Sequence, residues 1–118
     1  MKTKDNLIVE LTIEFSLLLI PYCELLEEQR KYIISRQLLK AGTSIGANVH
    51  EAQSPESQLD FIHKMKIAAK EGKETQYWLF LCENSASYPS CQFLINKLEP
   101  IQRILTSIIY SSRRNLRK

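Results

Sequence analysis

Turn-forming residues are scarce in this 118-residue chain, which holds only 3 glycines and 4 prolines. A many-stranded β protein needs frequent turns, so the scarcity argues against one. It also excludes collagen and glycine-rich linkers, while a hydrophobic share of 44% excludes a disordered chain. Histidine is limited to His50 and His63, and cysteine to Cys23, Cys82 and Cys91. An odd set of cysteines with no C-x-x-C spacing argues against a disulfide framework or a zinc site and fits thiols in a reducing cytoplasm. Long apolar runs are missing too. The longest, Phe15 to Cys23, contains Ser16 and Pro21 and ends at Glu24, too short to span a bilayer. Glu10 and Glu14 interrupt the first apolar stretch, which a signal-peptide core would not tolerate. These absences leave a cytoplasmic, mostly helical domain over residues 1–118.

Four segments carry helical apolar spacing. The first runs from about Asp5, a candidate N-cap, to Glu28. Leu7, Leu11, Phe15, Leu18, Tyr22 and Leu25 form its main stripe, widened by Ile8, Leu19 and Leu26. Val9, Ile13, Leu17 and Ile20 form a second stripe, which predicts a subunit contact, and Pro21 predicts a kink or local break. The second segment, Tyr32 to Gln53, repeats Ile34, Leu38, Ala41, Ile45, Val49 and Ala52. Gly42 and Gly46 share one side, where close helix packing explains them; no Gly-Lys-Ser/Thr comes after them to make a phosphate loop.

Ser54-Pro55-Glu56 reads as a capped start for the third segment, which ends near Asn84. Its expected buried face is Phe61, Ile62, Met65, Ala68, Ala69, Gly72, Leu79 and Phe80, with Ile67, Tyr77, Trp78 and Leu81 opposite as a second contact surface. A loop over 84–90 precedes the fourth segment, from about Cys91, with Leu94, Leu98, Ile101, Leu105 and Ile108 in register beside Ile104 and Ile109. Pro100 either interrupts that helix or begins it afresh. The pattern predicts an all-α, up-down four-helix bundle.

Charge is segregated along the chain. Residues 5–28 hold six acids and no bases, 29–50 four bases and no acids, and 84–118 six bases and one acid. Arg113, Arg114, Arg117 and Lys118 are the densest cluster. Two readings stay open: cations complementing a helix C-terminus and aiding solubility, or a phosphate-contacting patch with Arg36 and Lys40 as additions.

No catalytic constellation emerges. Asp60-x-x-His63 has the carboxylate–histidine spacing of di-iron bundles, but a second copy is needed and Ala47 stands three residues before His50. Asp60 is expected to pair with Lys64 instead. His50 and Glu51 are adjacent on a helix and point apart, and Cys82 or Cys91 would need a histidine partner to act as nucleophile. Ser44 lies in a helix interior rather than at a strand-to-helix elbow. No metal, cofactor or enzymatic activity is predicted.

One segment is more specific. Arg36 to Ala52 contains Gln37-Leu38, Lys40-Ala41, then Ser44-Ile45, Asn48 and Glu51. This run resembles the signature helix of four-helix-bundle proteins related to those encoded by intervening sequences of large-subunit ribosomal RNA genes. Ser57, Phe61 and Ile67-Ala68-Ala69 fit the third helix of that family, while Ala52-Gln53 departs from its usual Gly-Arg. The resemblance implies a non-enzymatic bacterial bundle, in several relatives a homopentamer. One branch comprises accessory proteins of diversity-generating retroelements, which bind nucleic acid and a reverse transcriptase. For Asn48 and Glu51 a structural role in fixing bundle register is favoured over ligand binding. The resulting expectation is a homo-oligomer that binds RNA, DNA or a nucleic-acid–protein complex. The alternatives are a protein-only scaffold engaged through the acidic first helix, or a metal-binding bundle built on Asp60 and His63.

Overall fold

The apolar spacing resolves into four helices, α1 (Lys4–Glu28), α2 (Tyr32–Glu51), α3 (Gln58–Asn84) and α4 (Gln92–Leu116). The computed structural model describes residues 4–117, with side chains from Leu7 to Arg117. Each helix packs on its neighbours in sequence and α1 closes on α4; among the described residues the diagonal pairs α1/α3 and α2/α4 do not pack. Short connections force successive helices antiparallel, so this is the expected up-down bundle. The α1–α2 and α3–α4 turns share one end of the bundle, its upper end. The α2–α3 turn and the end of α4 lie at the lower end.

The core stripes of α2 and α4 fall where the spacing predicts: Leu38, Ala41, Ile45 and Val49 are buried, as are Leu94, Leu98, Ile101 and Leu105. In α1 the register is rotated by about one residue. Ile8, Phe15, Leu19, Tyr22 and Leu26 are buried, whereas Leu7 and Leu25 are each 37% exposed. Thr12 occupies a core position because its hydroxyl donates to the Ile8 carbonyl (2.8 Å), which satisfies the buried polar group. In α3, Phe80 belongs outside: it is 60% exposed, while Thr75 and Cys82 take core positions.

Neither proline breaks its helix. Pro21 removes the donor for the Leu17 carbonyl and Pro100 that for Asn96; both carbonyls belong to exposed residues. The α1 backbone begins at Lys4, so Asp5 sits inside the helix rather than at its N-cap, and its side chain lies outside the described residues. α3 starts later than expected. Ser57, not Ser54, is the N-cap, its hydroxyl accepting from the Asp60 amide (3.0 Å), and the Asp60 carboxylate accepts from the Glu56 amide (3.1 Å).

The α1–α2 turn is a Schellman closure. Arg30 adopts φ 64°, its amide donates to the Glu27 carbonyl and the Lys31 amide to Leu26, both at 2.9 Å. In the α3–α4 turn Glu83 takes over the organising role, accepting from the Ser90 hydroxyl and the Cys91 amide, both at 2.8 Å. The Tyr22 hydroxyl donates to the Pro89 carbonyl (2.7 Å), which ties that turn to α1.

Candidate nucleic-acid interface

Antiparallel topology decides which cations can act together. Arg36 and Lys40 lie near the upper end of α2, whereas Arg113, Arg114 and Arg117 lie at the lower end, on or just past the diagonal helix α4. The two groups therefore do not form one surface. Arg36 is engaged locally, 3.7 Å from a Glu27 carboxylate oxygen and 5.8 Å from the Tyr32 ring centre. Lys40 is exposed. Lys118 lies outside the described residues.

The tail cations meet α3 instead. Lys66, Lys70 and Lys73 recur at helical spacing on α3, facing α4 across a furrow. A hollow of about 350 Å³ there is bounded by these three lysines, Gln102, Thr106 and Arg113. Toward the lower end, His63, Lys66, Arg113 and Arg117 bound another of about 360 Å³; toward the upper end, Lys73, Gln102 and Arg103 bound a third of about 370 Å³. Shared residues make the three one continuous furrow. Glu99 is the one acid among its described lining residues, and it is paired with Arg103 at 3.4 Å. Lys66, Lys70, Lys73, Arg113 and Arg117 form no ion pair among the described residues. Arg114 is exposed but lines none of these hollows.

Between α3 and α4 the floor of the furrow is made by Gly72 and Gln102. A Cβ at Gly72 would overlap the Gln102 amide, so only glycine lets that amide lie flat on α3. The Gln102 Oε1 is buried there without a hydrogen-bond partner.

The motif residues on α2 are engaged structurally. Ile45 is fully buried, the Ser44 hydroxyl donates to the Lys40 carbonyl (2.6 Å), and Asn48 Nδ2 donates to the Ser44 carbonyl (2.8 Å). Glu51 links α2 to α3 through Lys64 at 3.5 Å, so the lysine expected to pair with Asp60 is taken by Glu51. On α1, Ile13, Leu17 and Ile20 are exposed by 52%, 64% and 39%, and Val9 is half-buried. On α3, Tyr77 is exposed, whereas Ile67, Trp78 and Leu81 are partly buried and Trp78 packs on the core. Ile13, Leu17 and Ile20 on α1 and Tyr77 on α3 are thus open to solvent, while Val9 and Trp78 pack on the core.

Asp60 is committed to the α3 cap, and His63 is exposed on the furrow beside Lys66 and Arg113. Among the described residues no group of three or more His, Cys, Asp or Glu side chains could hold a metal. The thiols of Cys23, Cys82 and Cys91 are buried and unbridged. Burial pushes Cys23 up to about 12 and Cys91 up to about 11, and raises Cys82 as well. Such thiols stay protonated and are poor nucleophiles. Both histidines sit toward the opposite end of the bundle. No described helix is long and apolar enough to cross a membrane.

The model of the 23S rRNA-intervening sequence protein family matches residues 4–107. The chain belongs to that family. The family match takes in the three α3 lysines and stops short of Arg113. Among solved structures, the chain is similar to a protein of unknown function from the S23 ribosomal protein family of Bacteroides thetaiotaomicron. The two share 39% identity and a TM-score of 0.84, over 92% of this chain and 99% of that one. No curated protein matches the chain. An intervening-sequence-family bundle is thus established as the setting in which the furrow lies.

Proposed function

We propose that the protein is a non-enzymatic, cytoplasmic, oligomeric bundle that binds RNA, alone or within an RNA–protein complex, through the α3/α4 furrow. The observation that carries this reading is the convergence of Lys66, Lys70, Lys73, Arg113 and Arg117 on one furrow with no ion-pair partners among the described residues. Cations held side by side on two rigid helices attract phosphates and release their counterions, which makes binding steeply salt-dependent. Family membership supports the setting, and the buried, unbridged thiols support a reducing compartment.

Assembly is proposed through the exposed Ile13, Leu17 and Ile20 on α1. Such a stripe is the kind of surface that self-association covers. Because α1 and α3 are diagonal, contact between the α1 stripe of one copy and the α3 surface around Tyr77 of the next is heterologous, the type of contact from which rings are built when the rotation between copies closes. The pentamer is the ring size that the resemblance implies.

The test is titration of a labelled structured RNA with the protein over a series of salt concentrations, with the assembly mass followed by light scattering. Saturable binding that weakens linearly in log–log salt supports the proposal, and reversal of Arg113 and Arg117 to Glu should flatten the slope. A discrete oligomer that ignores RNA at low salt overturns it.

A further inference from the structure

The furrow does not end as it begins. Along α3, Lys66, Lys73 and Phe80 recur every seven residues on the α4 side, so the row of cations gives way after about 21 Å to an aromatic ring. Phe80 is 60% exposed, large for a phenylalanine, and its ring walls the upper hollow of about 370 Å³. Leu79 and Leu98 form the buried floor of that hollow and Ile95 the facing wall. Lys73 and Arg103 stand at its rim. Gln102 lines both this hollow and the cationic one beneath it, with its Oε1 buried and lacking a partner. A turn about its terminal torsion, which is soft for an sp² group, presents the amide to either hollow.

Resting on the reading of the furrow as an RNA site, we infer that it takes an unpaired strand, with one base seated in the upper hollow. Phosphates lie along Lys66, Lys70 and Lys73; the base stacks on Phe80 and gives its edge N–H to the Gln102 oxygen. Charge complementarity selects a polyanion, and the apolar hollow selects an occupant that alternates phosphate with a flat ring. A paired duplex keeps its bases stacked inside and has nothing to offer the hollow. A cationic groove that tracks the backbone beside an exposed aromatic is the arrangement by which single strands are held.

The experiment uses the full chain and an RNA of about 12 nucleotides that carries 2-aminopurine at one position, single-stranded or annealed to its complement. Binding is read by anisotropy and base seating by 2-aminopurine fluorescence. The inference expects the single strand to bind about tenfold or more tighter than the duplex, with a change in 2-aminopurine emission on binding. Phe80→Ala should weaken the single strand about tenfold and abolish the emission change, leaving duplex affinity and the salt slope as they were. Because Phe80 is exposed, its truncation spares the core, and circular dichroism checks this. Gln102→Leu should weaken the single strand while preserving stacking. Equal affinity for strand and duplex, with Phe80→Ala silent, overturns the unpaired-base inference and leaves the RNA reading standing. Absence of binding to both forms overturns the two together.

Discussion

The two helix hairpins of the bundle are packed on different principles. In the α1/α2 seam, Gly42 admits Leu19: a Cβ at Gly42 would overlap Leu19 Cδ2, and one at Gly46 would lie 3.3 Å from Thr12 Cβ. The Ser35 hydroxyl donates to the Cys23 carbonyl across the seam (2.9 Å), so buried polar groups are satisfied. In the α3/α4 seam the glycine, Gly72, lies under a polar amide whose oxygen has no partner among the described residues, and the surface above it is a cationic furrow. The same residue type serves close approach in both. On one side the approach fills a core; on the other it makes the floor of a groove. A bundle closed tightly on one side can keep the opposite side open for a ligand.

Matched glycine substitutions test that contrast. Gly42→Ala is expected to have the largest effect, a loss of about 2 kcal/mol, because the buried Leu19 has nowhere to move in a filled core. The midpoint of urea unfolding measures it. Arg30→Gly comes next, with a gain of about 1 kcal/mol, since a residue with a Cβ is held at φ 64° in the α1–α2 turn. Gly72→Ala should be neutral or raise stability by about 0.5 kcal/mol: the atoms in its way are the end of a flexible side chain, and alanine is the better helix former. If Gly42→Ala and Gly72→Ala destabilise equally, the contrast between the seams is wrong.

A smaller, pH-dependent effect should appear in the upper core. Burial disfavours the thiolate and pushes Cys23 up to about 12 and Cys91 up to about 11, from the ordinary thiol value of 9.0. A folded value above the unfolded one means that the contribution is fully present below pH 9 and declines as pH rises from there toward 11–12. Unfolding midpoints at stepped alkaline pH should fall, and Cys91→Ala should reduce the slope of that fall.

Much of the fold could be read from the sequence because apolar spacing repeats cleanly in α2 and α4. The errors have identifiable causes. Thr12 hid the register of α1, since a hydroxyl bonded to its own helix passes as a core residue. Ser54-Pro55-Glu56 has the residue types of a capped start, but the Asp60 amide bonds the Ser57 hydroxyl, three residues further on. Pro21 predicts a kink or local break and Pro100 an interruption or a fresh start, yet both helices run through, with the donors lost opposite the exposed residues Leu17 and Asn96. The candidate site was less legible. Lys66, Lys70 and Lys73 lie in a stretch, residues 51–83, with six acids and four lysines, so local charge reads as acidic. Folding sorts those charges by face: Lys64 goes to Glu51 on α2, while the other three lysines face α4. The heptad recurrence of 66, 73 and 80 was the available signal, and it was masked by the assignment of Phe80 to the core.

The most direct test of the account compares charge reversal on the furrow with charge reversal on α2. Lys66→Glu/Lys73→Glu/Arg113→Glu and Arg36→Glu/Lys40→Glu would each be titrated against the same structured RNA over a salt series. The furrow variant is expected to lose most of its affinity and its log–log salt slope to fall by about 2–3, while the α2 variant binds much as the unaltered protein does. Equal losses in the two variants, or a larger loss from α2, would contradict it.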